Sequence, residues 1–101
     1  MMKKISEAKL TKMISSHLKR MGVFYWKTSD RYTSGIPDFV GCHCGLFFAI
    51  EVKASGKKSR DIQTYILDSI KRNGGATLVT DDFSLYLKFI EAIKDICLNK
   101  N

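Results

Sequence analysis

The fold of this chain is decided by residues 37–53, which read PDFVGCHCGLFFAIEVK. Two runs rich in β-forming residues flank the short segment Cys42–Gly45, in which Gly45 supplies a conformationally free position. We therefore predict a hairpin of two strands, Asp38–Gly41 and Leu46–Lys53. Because side chains alternate between the two faces of a strand, one face of the second strand is predicted to be apolar and to carry Phe48, Ile50 and Val52.

Three charged residues of the hairpin are placed together by this pairing. Glu51 and Lys53 point to the same side of the second strand, about 6–7 Å apart along it. Asp38 starts the first strand and Glu51 nearly ends the second, so antiparallel pairing brings their carboxylates together. Two such carboxylates repel each other unless a cation lies between them, and Mg²⁺ prefers oxygen ligands. The alternative is that Glu51 and Lys53 form an ordinary strand-end ion pair in solvent.

The rest of the chain surrounds this hairpin with helices and further strands. Apolar residues at helical spacing predict helices over 5–21, 59–72 and 82 onward. Aromatic and β-branched residues predict strands over 23–26 and 76–80. The resulting order α-β-β-β-α-β-α predicts one α/β domain over residues 1–101. Its central sheet should be mixed and flanked by helices, because a helix between the last two strands is typical of a parallel crossover.

The composition describes a basic chain with enough apolar residues for one core. The 101 residues include 17 Lys and Arg against 10 Asp and Glu, a formal net charge of +7, and 45% are hydrophobic. Such an excess of positive charge is typical of proteins with polyanionic partners. No apolar run approaches the ~20 residues that span a bilayer, and no signal peptide is visible. We therefore expect no membrane association and an intracellular, cytoplasmic location, in the nucleoid or in the cytoplasm of a host cell.

The three cysteines predict free thiols. An odd number without a secretory signal argues against a disulfide framework. A zinc site at Cys42-His43-Cys44 is a weak alternative, because zinc normally takes four ligands and wider cysteine spacing, and the only other candidates are Cys97 and His17.

The charged hairpin residues also resemble a known pattern. Pro37-Asp38 followed by Glu51-Val52-Lys53 is similar to the signature of the PD-(D/E)xK nuclease superfamily. The fuller pattern resembles the VRR-NUC family, and it consists of Ser6-Glu7, Gly35–Phe39, Phe48–Lys53 and Gln63. This resemblance runs from about Glu7 to Thr80.

The resemblance implies a restriction-endonuclease-like fold and a metal-dependent DNA endonuclease. In that family pattern Asp38 and Glu51 hold a divalent metal, Mg²⁺ or in its place Mn²⁺, with the Val52 carbonyl as a third ligand. Lys53 is the catalytic lysine, which orients or deprotonates the attacking water and stabilises charge on a phosphate. Glu7 assists metal or water positioning, and Gln63 orders the site. No small-molecule cofactor is expected.

Small stand-alone members of the superfamily resemble Holliday-junction resolvases, which cut two strands as homodimers. The resemblance therefore implies a homodimer acting on branched DNA such as four-way junctions. Apolar residues of the last helix exceed what a small core needs and offer a pairing surface. Phe24, Tyr25 and Trp26 are expected in the core or in a dimer surface.

Several residues have a second interpretation. Glu7 can be a first-turn helix acid favoured by the helix dipole. Gln63 adjoins the stripe Ile62, Ile66 and Ile70, so it faces either the sheet or solvent. His17 is expected on a helix surface. DNA contacts are expected from four basic residues that otherwise belong to solvated loops: Arg31, Lys57, Lys58 and Arg60.

Two other functions compete with a DNA nuclease. The first is a non-catalytic, basic nucleic-acid-binding module of the same fold. The second is cleavage of RNA, whose phosphates are the same to a metal site. A sequence-specific restriction enzyme is disfavoured because no segment resembles a specificity domain.

Overall fold

The computed structural model describes residues 5–28, 35–54 and 61–98, except for the side chain of Cys97. The predicted order α-β-β-β-α-β-α is confirmed. Its elements are α1 (Glu7–Met21), β1 (Phe24–Lys27), β2 (Phe39–His43), β3 (Leu46–Val52), α2 (Asp61–Arg72), β4 (Ala76–Thr80) and α3 (Phe83–Leu98). Among the described helices, none has the length and apolar character that a bilayer crossing requires.

Helix α1 is bounded by two capping residues. The side chain of Ser6 accepts a hydrogen bond from the Lys9 backbone N–H at 3.1 Å, so the helix starts after Ser6 rather than at Ile5 as predicted. Gly22 ends it in the left-handed conformation, with φ +73°. The buried stripe consists of Leu10, Ile14 and Leu18.

The four strands form one mixed sheet in the order β1-β2-β3-β4. The pairs β1–β2 and β2–β3 are antiparallel, whereas β3 and β4 are parallel. Helix α2 makes the crossover that a parallel pair requires. The predicted mixed sheet is therefore confirmed, and β1 and β4 are its edge strands.

The hairpin turn is tighter than the sequence predicts. His43 pairs with Leu46, which leaves only Cys44 and Gly45 in the turn. Both have positive φ, +52° and +84°, as a type I′ turn requires. Strand β2 therefore extends to His43, because a two-residue turn lets the β2–β3 ladder continue up to it. The strand begins at Phe39, one residue after the predicted start.

The cysteine prediction is wrong at one position. Cys42 is an exposed free thiol, but Cys44 is disulfide-bonded. The described residues also contain no group of three or more His, Cys, Asp or Glu side chains that could hold a metal ion, so they do not support zinc at Cys42-His43-Cys44. The side chain of Cys97 lies outside the description.

The core lies between one face of the sheet and helices α1 and α3. Phe48, Ile50 and Val52 of β3 are buried, as alternation predicts. They pack in one cluster with the α1 stripe and with α3 residues Tyr86, Ile90 and Ile93. These three α3 side chains are thus used in the chain's own core, whereas Leu85, Ile96 and Leu98 of α3 are exposed, so a pairing surface on α3 stays a prediction.

The opposite face of the sheet is covered by α2 over β3 and β4. The buried residues of α2 are Gln63 and Leu67, whereas Ile62 is 43% exposed. The predicted stripe of isoleucines is therefore rotated by one position. Phe24 and Trp26, on the edge strand β1, are about two-thirds exposed, so neither is in the core.

Candidate active site

The end of the hairpin joins Asp38 to Glu51 and to Val52 through two hydrogen bonds. The Asp38 backbone N–H donates to Glu51 Oε1 at 3.2 Å. The Val52 backbone N–H donates to Asp38 Oδ2 at 2.8 Å. Since Phe39 pairs with Ile50, both bonds continue the β2–β3 ladder beyond its last pair. The proximity of the two carboxylate residues, which antiparallel pairing predicts, is present.

Glu51 is buried and ion-paired with Lys53. Its exposed fraction is 4%, and the Lys53 Nζ lies 3.0 Å from Glu51 Oε2. The backbone N–H of Lys53 donates to the Thr80 carbonyl at 2.9 Å, which fixes this residue beside β4. A solvated strand-end pair is therefore excluded, because the carboxylate is withdrawn from water.

Helix α2 adds a second donor to the same oxygen. The Gln63 Nε2 donates to Glu51 Oε2 at 2.6 Å, and Gln63 is 5% exposed. The solvent-facing interpretation of Gln63 is thus excluded. The structure brings Asp38, Glu51, Lys53 and Gln63 together.

The electrostatics of Glu51 favour a nearby positive charge. Burial raises the pKa of Glu51 above its usual value of 4.5, and the charge of Asp38 raises it further. The hydrogen bond and the charge of Lys53 oppose this rise. The ionised carboxylate is therefore only partly compensated by its protein neighbours.

A cleft of about 820 Å³ lies between α1 and the start of the hairpin, and Asp38 and Glu7 both line it. Glu7 is in the first turn of α1 and is exposed. In the described part of the chain, Glu7 does not form with Asp38 and Glu51 a three-carboxylate group that could hold a metal. Its role in positioning metal or water stays a prediction.

The fold matches a solved structure. The chain superimposes on a chain described as "VRR_NUC domain" with a TM-score of 0.72 and 24% sequence identity, over 84% of this chain and 94% of the other. The fold is that of a VRR_NUC domain. The predicted resemblance is thereby confirmed at the level of the fold. The sequence matches no protein-family model and no curated protein.

Within this VRR_NUC fold, the donor set suits a hard divalent cation. Asp38 and Glu51 supply carboxylate oxygens, and the Val52 carbonyl belongs to the residue whose N–H binds Asp38. Two carboxylates are sufficient for Mg²⁺, which keeps several waters and is completed by substrate phosphates. The partly uncompensated charge of Glu51 fits the same ion.

The predicted DNA-contacting residues Arg31, Lys57, Lys58 and Arg60 lie outside the described residues. Three other cationic residues, which the sequence did not single out, line the cleft: Lys9, Lys12 and Lys27. The spacing of Lys9 and Lys12, three residues apart on α1, was the available signal, because such residues lie on one side of a helix. Their position beside Asp38 depends on where α1 packs.

In this VRR_NUC fold, His17 lies between α1 and α3 and is not part of the candidate active site. Its Nδ1 lies 2.8 Å from the Tyr86 hydroxyl, and its ring meets those of Phe83 and Tyr86 edge to face. Burial lowers the pKa of His17, and Arg20 lowers it further. His17 is thus half-buried rather than fully on the helix surface, because it partners the buried hydroxyl of Tyr86.

Proposed function

We propose that this protein is a metal-dependent nuclease that hydrolyses phosphodiester bonds in DNA. The observation that carries the proposal is the buried carboxylate of Glu51, bound by Asp38 and paired with Lys53. Removing a carboxylate from water costs free energy, and buried carboxylates with charged neighbours are therefore concentrated at functional sites. The VRR_NUC fold and the resemblance of the hairpin motif to that nuclease family support the same reaction.

In this proposal Asp38 and Glu51 hold a divalent ion, Mg²⁺ or Mn²⁺, with the Val52 carbonyl as a further ligand. When bound, the ion supplies a polarised phosphoryl oxygen and a water of lowered pKa. The Lys53 ammonium orients the attacking water and stabilises negative charge on the phosphate. Gln63 fixes the Glu51 carboxylate through its hydrogen bond to Oε2. Glu7 faces the cleft and orients water from the side of α1.

A non-catalytic binding module explains less of the structure. Phosphate binding requires exposed cations, which this chain has in excess. A binding module, however, has no need for a buried carboxylate beside an aspartate that lines a cleft, because both groups repel phosphate.

We propose further that the protein acts on branched DNA as a homodimer, so that two sites cut two strands. Support comes from β1, an edge strand on which Phe24 and Trp26 are 65% and 64% exposed. Large aromatic side chains on one side of an edge strand are unfavourable in water and suit a second protein surface. We favour this surface over α3, because Tyr86, Ile90 and Ile93 of α3 are used in the core.

The decisive experiment is cleavage of end-labelled nucleic acid by the purified protein. The substrates are a four-way junction, a splayed arm, a linear duplex and a single strand, each as DNA and the last also as RNA. Each is incubated with Mg²⁺, with Mn²⁺ and with EDTA. The variants are Asp38→Ala and Lys53→Ala, and Lys71→Ala on the exposed last turn of α2 is the charge-matched control for Lys53→Ala.

We expect metal-dependent cleavage that is lost in both site variants and kept in Lys71→Ala, with the junction cut fastest. Cleavage that persists in both site variants would contradict the assigned site. Absence of cleavage on every substrate, with binding retained, would favour the binding module. Faster cleavage of the RNA strand than of the DNA strand would mean that the substrate is RNA instead of DNA.

A further inference from the structure

Helix α1 carries a row of cations that begins at the candidate active site. Lys9 and Lys12 line the cleft that contains Asp38. They also line a second depression of about 470 Å³, which extends along the helix to Ser16 and Arg20 and ends at Phe83. The two depressions are therefore consecutive and share Lys9 and Lys12.

The helical spacing puts this row on one side of α1. Lys9, Lys12, Ser16 and Arg20 are separated by three, four and four residues, which keeps them within one face. The opposite face is the buried stripe that contains Ile14 and Leu18. At 1.5 Å per residue, the row from Lys9 to Arg20 is about 16 Å long.

These cations are available to a partner. Lys9, Lys12 and Arg20 are exposed, and none forms an ion pair with another residue of the described ranges. A fourth cation, Lys27 at the end of β1, lines the same cleft as Lys9, Lys12 and Asp38. The row thus leads to the carboxylates instead of being neutralised by them.

We propose that this face of α1, made of Lys9, Lys12, Ser16 and Arg20, is a track for the phosphate backbone of a DNA duplex arm. The inference rests on the proposed function, since it assigns the direction from which substrate reaches that site. One strand of a duplex has a phosphate every ~3.4 Å of axis, so a track of about 16 Å spans about five of them. The arm on the α1 side then needs at least about five base pairs for full affinity.

The test measures equilibrium binding of a labelled duplex arm by fluorescence anisotropy in EDTA, from low to moderate salt. The track variant combines Lys9→Ala, Lys12→Ala and Arg20→Ala. The control variant combines Lys71→Ala, Arg72→Ala and Lys88→Ala, which removes the same charge from exposed positions on α2 and α3. A third variant, Lys9→Arg with Lys12→Arg, keeps the charge, and circular dichroism checks that all are folded.

We expect the slope of log affinity against log salt to become shallower by about 0.9 for each phosphate that the track variant no longer neutralises. The control variant should change the slope by much less, and the arginine variant should keep the wild-type slope. Equal changes in the track and control variants would overturn the track, because net charge alone would then explain binding. If the track variant does not fold, a series of arm lengths with wild-type protein decides, and affinity independent of length below five base pairs would also overturn the track.

Failure of the proposed function is distinguishable from failure of the track. Binding is measured without metal, so a protein that cuts nothing still reports its slope. Normal metal-dependent cleavage together with identical slopes in the track and control variants would reject the track alone.

Discussion

At the level of single residues, the site is organised around one carboxylate. Glu51 accepts hydrogen bonds from the Asp38 backbone and from Gln63, and it pairs with Lys53. Each partner comes from a different part of the fold, namely the start of β2, helix α2 and the end of β3. A rigid, buried carboxylate is suited to hold a ligand in one geometry, because its rotamers are already restricted.

Gln63 is the partner whose contribution can be measured separately. Gln63→Ala removes a hydrogen bond to a charged group, which is worth about 1.5 kcal/mol or more. We expect single-turnover cleavage to slow at least about tenfold, with a higher metal concentration needed for half-maximal rate. Thr64→Ala, at the exposed neighbouring position, is the control. Wild-type rate and metal dependence in Gln63→Ala would show that Gln63 does not order the site.

His17 predicts a pH dependence of stability. Its pKa is lowered in the folded protein relative to its usual value of 6.5, so the unfolded chain binds the proton more tightly. The contribution of neutral His17 to the free energy of unfolding is fully present above pH 6.5 and is lost as the pH falls through the folded pKa. We expect the free energy of unfolding to decrease with acidification in this range, by less in His17→Gln, and as in wild type in Ser16→Ala. Urea titrations at several pH values measure the free energy of unfolding. Identical pH profiles for wild type and His17→Gln would contradict the role assigned to His17.

At the level of elements, the segment before β2 is fitted against α2. Gly35 has φ +85°, and a Cβ there would lie 2.9 Å from Ile62 Cγ1 and 3.0 Å from Ile66 Cδ1. Position 35 therefore requires glycine for two reasons: its left-handed backbone conformation and the lack of space for a Cβ. This contact places the chain that leads into Asp38, and it explains how Ile62 and Ile66 are used although the buried centre of α2 is at Gln63.

Comparison of two glycines separates conformation from packing. Gly22 has a similar φ of +73°, but nothing lies within 4 Å of the position that a Cβ would take there. Gly22→Ala should cost about 1 kcal/mol of unfolding free energy from backbone strain. Gly35→Ala should cost about 2–4 kcal/mol, because overpacking against α2 is added. Urea unfolding measures both, and equal costs would mean that the contact with α2 yields without penalty.

At the level of the whole molecule, the two sides of the sheet have different tasks. One side, under α1 and α3, holds the core cluster. The other is covered by α2 over β3 and β4 and leaves Phe24 and Trp26 of β1 exposed. The proposed pairing surface and the proposed phosphate track on α1 are therefore separate surfaces, so a dimer would leave the track accessible.

The exposed edge strand predicts the effect of a charge on assembly. Trp26→Glu should convert a dimer to a folded monomer at micromolar concentration, because Trp26 lies outside the core cluster of the described residues and a buried charge disfavours pairing. Leu85→Glu, at a 45% exposed position of α3, should leave the dimer intact. Sedimentation velocity distinguishes the species. A monomeric wild-type protein, or dissociation by Leu85→Glu alone, would contradict a dimer through β1.

The order of the elements and the pairing of the hairpin are predictable from local sequence features. These depend on short-range features: the alternation that buries Phe48, Ile50 and Val52, the turn glycine Gly45, and caps such as Gly22. The same alternation sufficed to bring Asp38 and Glu51 together, since neighbouring strands of a tight hairpin leave little choice of register.

Which side of each helix is buried, and what lies beside it, depends on long-range packing. The rotation of α2 by one position, which buries Gln63 against Glu51, follows from how the helix covers β3 and β4. The arrival of Lys9 and Lys12 beside Asp38, and the use of Tyr86 as the partner of His17, depend on where α1 and α3 pack. Such contacts join residues far apart in the chain, and helical periodicity fixes the width of an apolar face but not the partner that the face selects.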